Sequence, residues 1–140
     1  MREVPMHFQR LYAENTNFSD AFDAMHDAVE ALPDELIAEG RELPYPQLHH
    51  ACQSGNLALV GALLDNGLNA DMYPCTEDDE DLTSLAWLAR DEEMVFSEKV
   101  AVAELLLAKG ADPEEGDALE QAQDFGDSQF EAFLEKAIAT

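Results

Sequence analysis

The feature of this sequence that most constrains its fold is a segment that occurs twice in register. Residues 48–56 and 119–127 both carry leucine at their first position, alanine at their fourth and glycine at their eighth. Four residues after each glycine an apolar side chain follows, Leu59 or Phe130, and a leucine comes four residues later again. A match of this length without gaps indicates a repeated structural unit, so the repeat decides the fold before any single helix does.

A more divergent copy lies between these two, and its leading leucine is Leu85. Its second helix is predicted at residues 100–107, before Gly110. Compared with the first copy, which ends at Gly67, the middle copy carries six extra residues around positions 91–99. The repeated unit is therefore predicted to be a short helix, a tight turn at a glycine, a second helix and a closing glycine in the left-handed conformation, as in the first copy.

Such units bury their leucines only against their neighbours, so we expect an all-α helical repeat solenoid over residues 43–140. Ala51 and Ala122 are small enough for the inner helices to stack closely. With three units, one of them interrupted, we expect marginal stability and stabilisation by a partner.

Residues 1–42 do not share the repeat and are predicted to form an N-terminal arm and helical cap. Ser19–Asp20 offers a helix N-cap, and the helix is expected to run to about Leu32, where Pro33 stops it. A second short helix should follow and end at Gly40. Apolar residues spaced by four, three and four define one face of the first helix: Phe18, Phe22, Met25 and Val29. Residues that could dock as a helical arm are Phe8, Leu11 and Tyr12.

The repeat resembles that of the ankyrin family, whose units of about 33 residues open with Thr-Pro-Leu-His-x-Ala and close with Leu-Leu-x-x-Gly-Ala-Asp. The opening matches at 46–51, with the proline displaced by one, and more weakly at 83–88, which lacks the histidine. The closing matches at 63–69 and best at 106–112. The resemblance implies a protein that binds other proteins with its concave face and loop tips and that is not an enzyme.

The charge of the chain restricts its partners. Against 31 Asp and Glu residues stand only 7 Lys and Arg, a net charge of -24 at pH 7. Unaided binding to nucleic acid or to an anionic membrane is excluded, because both need basic residues to meet phosphate. Since solubility needs a net charge of only about 2 to 8 in magnitude, we expect a basic protein partner.

Two acidic additions to the repeat are candidate binding sites, because insertions in repeat arrays fall in loops and often on the binding face. One precedes Leu82 and the other follows Arg90. The candidate residues are Glu77, Asp78, Asp79, Glu80, Asp81, Asp91, Glu92 and Glu93. The alternative is that these charges form a solvated surface that only keeps the protein soluble.

Trp87 is the candidate apolar anchor. It holds the third position of an inner helix, level with His50 and Gln121, and the ankyrin resemblance implies that this position faces the concave groove. The alternative is that Trp87 packs under the acidic loop or against the six-residue insertion. His50 is a further candidate for the groove, and Tyr73 and Tyr45 are weaker candidates of the same kind as Trp87.

Signals for chemistry are absent from the sequence. Adjacent side chains on a helix, such as His49 and His50 next to Cys52, point too far apart to close a tetrahedral metal site, and His49 occupies the position of the structural histidine that the resemblance implies. No Gly-x-Ser-x-Gly elbow, phosphate-binding glycine loop or EF-hand spacing occurs. We therefore expect no enzyme activity, cofactor or metal, and free thiols in a cytoplasmic protein.

Three hypotheses remain open from the sequence. The first is an immunity protein that neutralises a toxin such as a nuclease, or a DNA mimic acting in the same way, because an enzyme that cuts nucleic acid is itself basic. The second is an ankyrin-like adaptor or host-directed effector whose affinity hardly depends on salt. The third is an enzyme or metal protein using His49, His50 and Cys52, which a zinc titration would expose. Alone, the chain is expected to be a monomer or a weak dimer.

Overall fold

A computed structural model of the chain describes residues 4–74 and 82–139. Within these ranges it contains nine α-helices and no strand, which confirms the all-helical prediction. The helices are α1 (Gln9–Glu14), α2 (Thr16–Glu30), α3 (Asp34–Glu42), α4 (Gln47–Ser54), α5 (Leu57–Asp65), α6 (Ser84–Arg90), α7 (Phe96–Ala108), α8 (Ala118–Asp124) and α9 (Ser128–Ala139). Two short 3-10 helices, Met6–Phe8 and Glu115–Asp117, precede α1 and α8.

The start of α2 differs from the prediction. Its N-cap is Asn15, whose side-chain oxygen accepts a hydrogen bond of 3.1 Å from the backbone N–H of Phe18. Ser19 lies inside the helix, where its hydroxyl bonds instead to the Thr16 carbonyl at 3.0 Å. The predicted cap at Ser19–Asp20 is wrong because asparagine is an equally good cap and lets the helix begin earlier.

The role predicted for Gly40 is also wrong. Helix α3 begins after Pro33, as expected, but it continues to Glu42. Gly40 is buried inside the helix, and a Cβ added there would lie 2.4 Å from Leu32 Cδ1. This glycine allows the close approach of α3 to the segment after α2, instead of ending the helix.

The remaining six helices pack in two layers. In one layer α6 contacts both α4 and α8, and in the other α7 contacts both α5 and α9. Helix α2 contacts α4 and α5 and covers the first pair. Each of α4 and α8 also contacts the helix that follows it in the chain. We call α4, α6 and α8 the first layer.

The helices of the first layer run side by side in the same direction. A Cβ at Gly116, just before α8, would lie 2.5 Å from Thr83 Oγ1, just before α6. At the opposite ends, Gln53 of α4 lies in the same recess as Arg90 and Asp91 of α6. The predicted glycine turns are confirmed by positive backbone φ angles at Gly55, Gly67, Gly110 and Gly126.

The extra residues of the middle unit divide between a loop and a helix. Two residues join α4 to α5, whereas residues 91–95 join α6 to α7. Helix α7 has 13 residues and α5 has 9. The insertion therefore lengthens both the turn and the second helix of the unit. The prediction placed all six extra residues around 91–99 without dividing them between turn and helix.

The N-terminal segment packs against α2. Phe8 and Tyr12 are half-buried against α2, and the ring centroids of Tyr12 and Phe22 are 5.9 Å apart. The Tyr12 hydroxyl donates to Asp23 at 2.9 Å. Along the described chain, no helix is long and apolar enough to cross a membrane.

Candidate protein-binding surface

A buried histidine joins the first two units of the first layer. His49 Nε2 lies 2.7 Å from the Leu82 carbonyl, which can only accept, so Nε2 donates. In the neutral imidazole Nδ1 then accepts from the Ser84 hydroxyl, 3.0 Å away. His49 is fully buried, so its ring holds the start of α6 against α4 and takes no part in binding.

Trp87 contacts two histidines of the neighbouring helix α4. Its side chain is partly buried, and its ring meets His49 and His50 edge to face, with centroids 4.8 and 5.4 Å apart. Its Nε1 is buried and has no hydrogen-bond partner among the described residues. Burial lowers the pKa of the half-buried His50. The two candidate residues therefore lie together, but much of the Trp87 ring is already occupied by histidines.

The acidic residues of the middle insertion gather at the carboxyl ends of the first-layer helices. Asp91 Oδ1 accepts hydrogen bonds from the backbone N–H groups of Glu93 and Met94, at 2.7 and 2.9 Å. This turn leaves the Glu92 and Glu93 side chains exposed. Glu98 of α7 lines the same open recess.

Apolar side chains adjoin this acidic turn. Met94, Phe96 and Phe125 line a second recess that shares Asp91 and Glu92 with the first. We call the residues around these two recesses the turn-side surface. They are Gln53, Ala89, Arg90, Asp91, Glu92, Glu93, Met94, Phe96, Glu98, Lys99, Phe125, Gly126, Asp127 and Gln129.

A second acidic cluster lies at the opposite, amino ends of the first-layer helices, and we call it the loop-side surface. Both Asp71 carboxylate oxygens accept from the Asp112 N–H at 3.0 Å. The Tyr73 hydroxyl donates to Glu115. An open recess here is lined by Asn17, Asp20, Asn69, Asp71, Met72, Tyr73 and Glu115.

The pKa values of two acidic groups on the loop-side surface are raised, partly by the negative charges around them. Burial, together with the neighbouring Asp112 and Glu115 charges, raises the pKa of Asp71 despite its hydrogen bond from the Asp112 N–H. The hydrogen bond to Glu115, then burial and the charges of Glu115, Asp117 and Asp71, raise the pKa of Tyr73 to about 12. A new negative charge is therefore disfavoured at this end of the molecule, whereas a cation would be favoured.

The predicted candidates divide among these places. Asp91, Glu92 and Glu93 lie together on the turn-side surface, and Tyr73 lies on the loop-side surface, at the other end of α6. The acidic run Glu77, Asp78, Asp79, Glu80 and Asp81 lies outside the described residues, as does Cys75. Tyr45 is buried and donates to the Pro74 carbonyl at 2.7 Å, so its candidacy as a surface anchor is wrong.

Sequence reasoning did not single out Phe96, Phe125, Asp71 or Glu115. A usable signal was present for Phe96, since Met94-Val95-Phe96 is an apolar run directly after an acidic turn. Asp71 and Glu115 are 44 positions apart in the sequence, and only the packing of the loops brings both into one recess.

Nothing in the described residues is arranged for metal or thiol chemistry. They contain no group of three or more His, Cys, Asp or Glu side chains that could hold a metal ion. Burial raises the pKa of the Cys52 thiol to about 12, even though Ser84 hydrogen-bonds to it. A fully buried thiol with that pKa is inert at neutral pH.

Comparison with known proteins yields no relative: no family model, curated protein or solved structure matches the chain significantly.

Proposed function

We propose that the chain is an ankyrin-like repeat protein that binds and inhibits a basic protein, as an immunity protein neutralises a toxin such as a nuclease. It acts by binding alone and catalyses no reaction. The observation that carries the proposal is the gathering of acidic side chains at both ends of the first-layer helices, in a chain of net charge -24.

Three packing features support the ankyrin-like arrangement. The first-layer helices contact one another in chain order, and so do the helices of the other layer, α5, α7 and α9. Glycines with positive φ end the helices at repeated positions, Gly67 and Gly110 among them. A buried histidine, His49, ties the first unit to the start of the second.

Electrostatics supports a basic partner. Complementary charge accelerates encounter and rejects partners of like charge. An inhibitor benefits from both, because it must capture its target quickly and ignore other proteins. Carboxylates placed over a nuclease groove would occupy the positions that substrate phosphates otherwise take.

A pull-down from the native lysate tests the proposal. The tagged full chain is the bait, at low salt and at about 0.5 M salt, where screening is several-fold stronger. One variant replaces five acids of the first insertion by their amides: Glu77, Asp78, Asp79, Glu80 and Asp81. A control variant removes the same charge from exposed acids elsewhere: Asp34, Glu35, Glu42, Glu104 and Glu135.

The proposal predicts one basic protein that is retained at low salt, is weakened at high salt, and is lost with the first variant but kept by the control. The purified partner should lose its own activity when the chain is added. A partner indifferent to salt and to both variants would contradict the proposal and favour a general adaptor. Retention of no basic protein would contradict it as well.

A further inference from the structure

The turn-side surface exposes two aromatic side chains beside its acidic turn. Six large apolar side chains are markedly exposed in the described part of the chain; Phe96 at 37% and Phe125 at 40% line one recess of this surface, and Val95 at 58% immediately precedes Phe96. Val95 directly precedes α7, which begins at Phe96, and Phe125 follows α8. Clustered exposure of this kind marks an interaction site, whereas single exposed apolar residues are ordinary.

Acidic side chains border this apolar cluster on one side. The recess that holds Phe96 and Phe125 has a volume of about 360 Å³, and it shares Asp91, Glu92 and Met94 with the recess that holds Glu93 and Glu98. A single ligand segment could therefore place an apolar side chain in one recess and a cationic side chain in the next.

The two basic side chains of this surface are engaged within the protein. The Arg90 guanidinium lies 5.5 Å from the centre of the Phe125 ring. Lys99 is buried and its Nζ lies 2.7 Å from Asp127 Oδ2. Asp127 neutralises Lys99, and Arg90 offsets only one of the neighbouring carboxylates, so the border of the apolar cluster keeps a net negative charge. These carboxylates belong to Asp91, Glu92, Glu93 and Glu98.

We infer that the turn-side surface binds a segment of the basic partner in which an aromatic or large apolar side chain is flanked by Lys or Arg. This inference rests on the proposed function and assigns the apolar anchor point to Phe96 and Phe125 instead of Trp87. Binding energy in protein interfaces concentrates in a central apolar contact, while surrounding charges set rate and specificity. A second copy of this chain does not fit, because it would bring the same acidic border and a further charge of -24.

Fluorescence anisotropy with labelled synthetic peptides tests the inference. The first peptide alternates Lys and Gly around one central Trp, the second replaces the Trp by Ser, and the third replaces every Lys of the first by Ser. They are titrated with the full chain, with a Phe96→Ser/Phe125→Ser variant, and with a Met6→Ser/Leu57→Ser control. Met6 and Leu57 are also exposed apolar residues, but neither lines a recess of the turn-side or loop-side surface. Circular dichroism verifies that each variant keeps its helices.

We expect the chain to bind the Trp peptide about tenfold more tightly than the Ser peptide, equivalent to one apolar anchor. The Phe96→Ser/Phe125→Ser variant should bind both cationic peptides alike, and the control should keep the preference. If that variant keeps the preference, or if the wild-type chain shows none, the inference is wrong while the proposed function stands. If the cationic peptides bind no better than the uncharged one, both are wrong.

Discussion

Lys99 is the one fully buried charged side chain among the described residues, and its surroundings explain how it is tolerated. Its Nζ is 2.7 Å from Asp127 Oδ2 and 5.5 Å from the centre of the Phe130 ring. Asp127 also caps α9, because its Oδ1 accepts the Phe130 N–H at 3.0 Å. One carboxylate therefore serves as the counter-ion of a buried ammonium and as a helix cap.

Replacing Asp127 by alanine should destabilise the fold by about 3–5 kcal/mol, because it leaves the Lys99 charge buried without a partner. Asp127→Asn should cost less, since asparagine still caps α9. The double change Lys99→Met/Asp127→Asn should recover most of the loss. Urea unfolding of the four proteins measures these differences, and a loss below about 1 kcal/mol for Asp127→Ala would show that Lys99 reaches water without its partner.

The same pair sets a pH dependence. Burial by itself would raise the pKa of Asp127, but the hydrogen bonds from Lys99 and the Phe130 N–H, with the Lys99 charge, outweigh it and lower the pKa. The stabilisation is complete above the ordinary carboxyl pKa of about 3.9 and is lost as pH falls through the lowered folded value. Lowering the pH from 5 to 2 should therefore reduce the free energy of unfolding of the Lys99→Met variant by less than that of the wild type, as urea unfolding at each pH would measure.

Single residues were predicted unevenly from the sequence. The register of the repeat placed Trp87 level with His50, and the two rings do meet. Its partial burial depends on contact with both His49 and His50 across the layer, which no local pattern encodes. Lys99 lies in a segment that the pattern marked only as an insertion, because its partner Asp127 is 28 positions away.

At the scale of helices, two interior glycines illustrate how packing decides what a residue does. Gly40 of α3 and Gly61 of α5 both lie within helices, where glycine is less favourable than alanine. A Cβ at Gly61 would meet only Leu105 Cδ2 at 3.9 Å, an ordinary contact. A Cβ at Gly40 would overlap the buried Leu32 side chain.

Gly61→Ala should therefore raise the free energy of unfolding by about 0.5–1 kcal/mol, through helix propensity alone. Gly40→Ala should lower it by about 1–3 kcal/mol, because the gain in propensity is smaller than the overpacking cost. Thermal unfolding followed by circular dichroism compares the two. Stabilisation by both changes would show that Leu32 repacks without cost.

Helix type was predictable from the sequence, and helix ends were only partly so. Pro33 and the acidic Asp34 and Glu35 identified the start of α3, because proline and carboxylates are favoured in the first turn. The start of α2 was missed because Asn15 and Ser19 are both acceptable caps, and the apolar face containing Phe18 is compatible with either.

For the whole molecule, helix packing keeps the two acidic clusters apart. Helix α6 contacts α4 and α8, and the acidic clusters lie at the two opposite ends of these helices, which we call the edges of the first layer. The two edges are separated by the length of a first-layer helix, about 10 Å for the 7 residues of α6 at 1.5 Å each. That distance is about one Debye length at 0.1 M salt, so screening reduces the repulsion between the two edges without removing it.

The sequence predicted this separation only in part. It located acidic additions on both sides of α6 but did not show at which edge of the first layer Asp91, Glu92 and Glu93 lie. In the structure those three residues follow the last residue of α6, at the edge opposite Tyr73. The direction of α6 decides which edge carries these three residues. The structure shows that direction, because the first-layer helices run parallel to one another.

The association rate constant with the basic partner, measured by stopped-flow fluorescence between about 0.05 and 0.5 M salt, tests the central claim most directly. If the charge of -24 serves to capture a basic protein, the association rate constant should fall steeply with salt, by a factor of ten or more, while the dissociation rate constant changes little. An association rate constant that does not depend on salt would contradict the claim and leave the acidic edges as features of solubility alone.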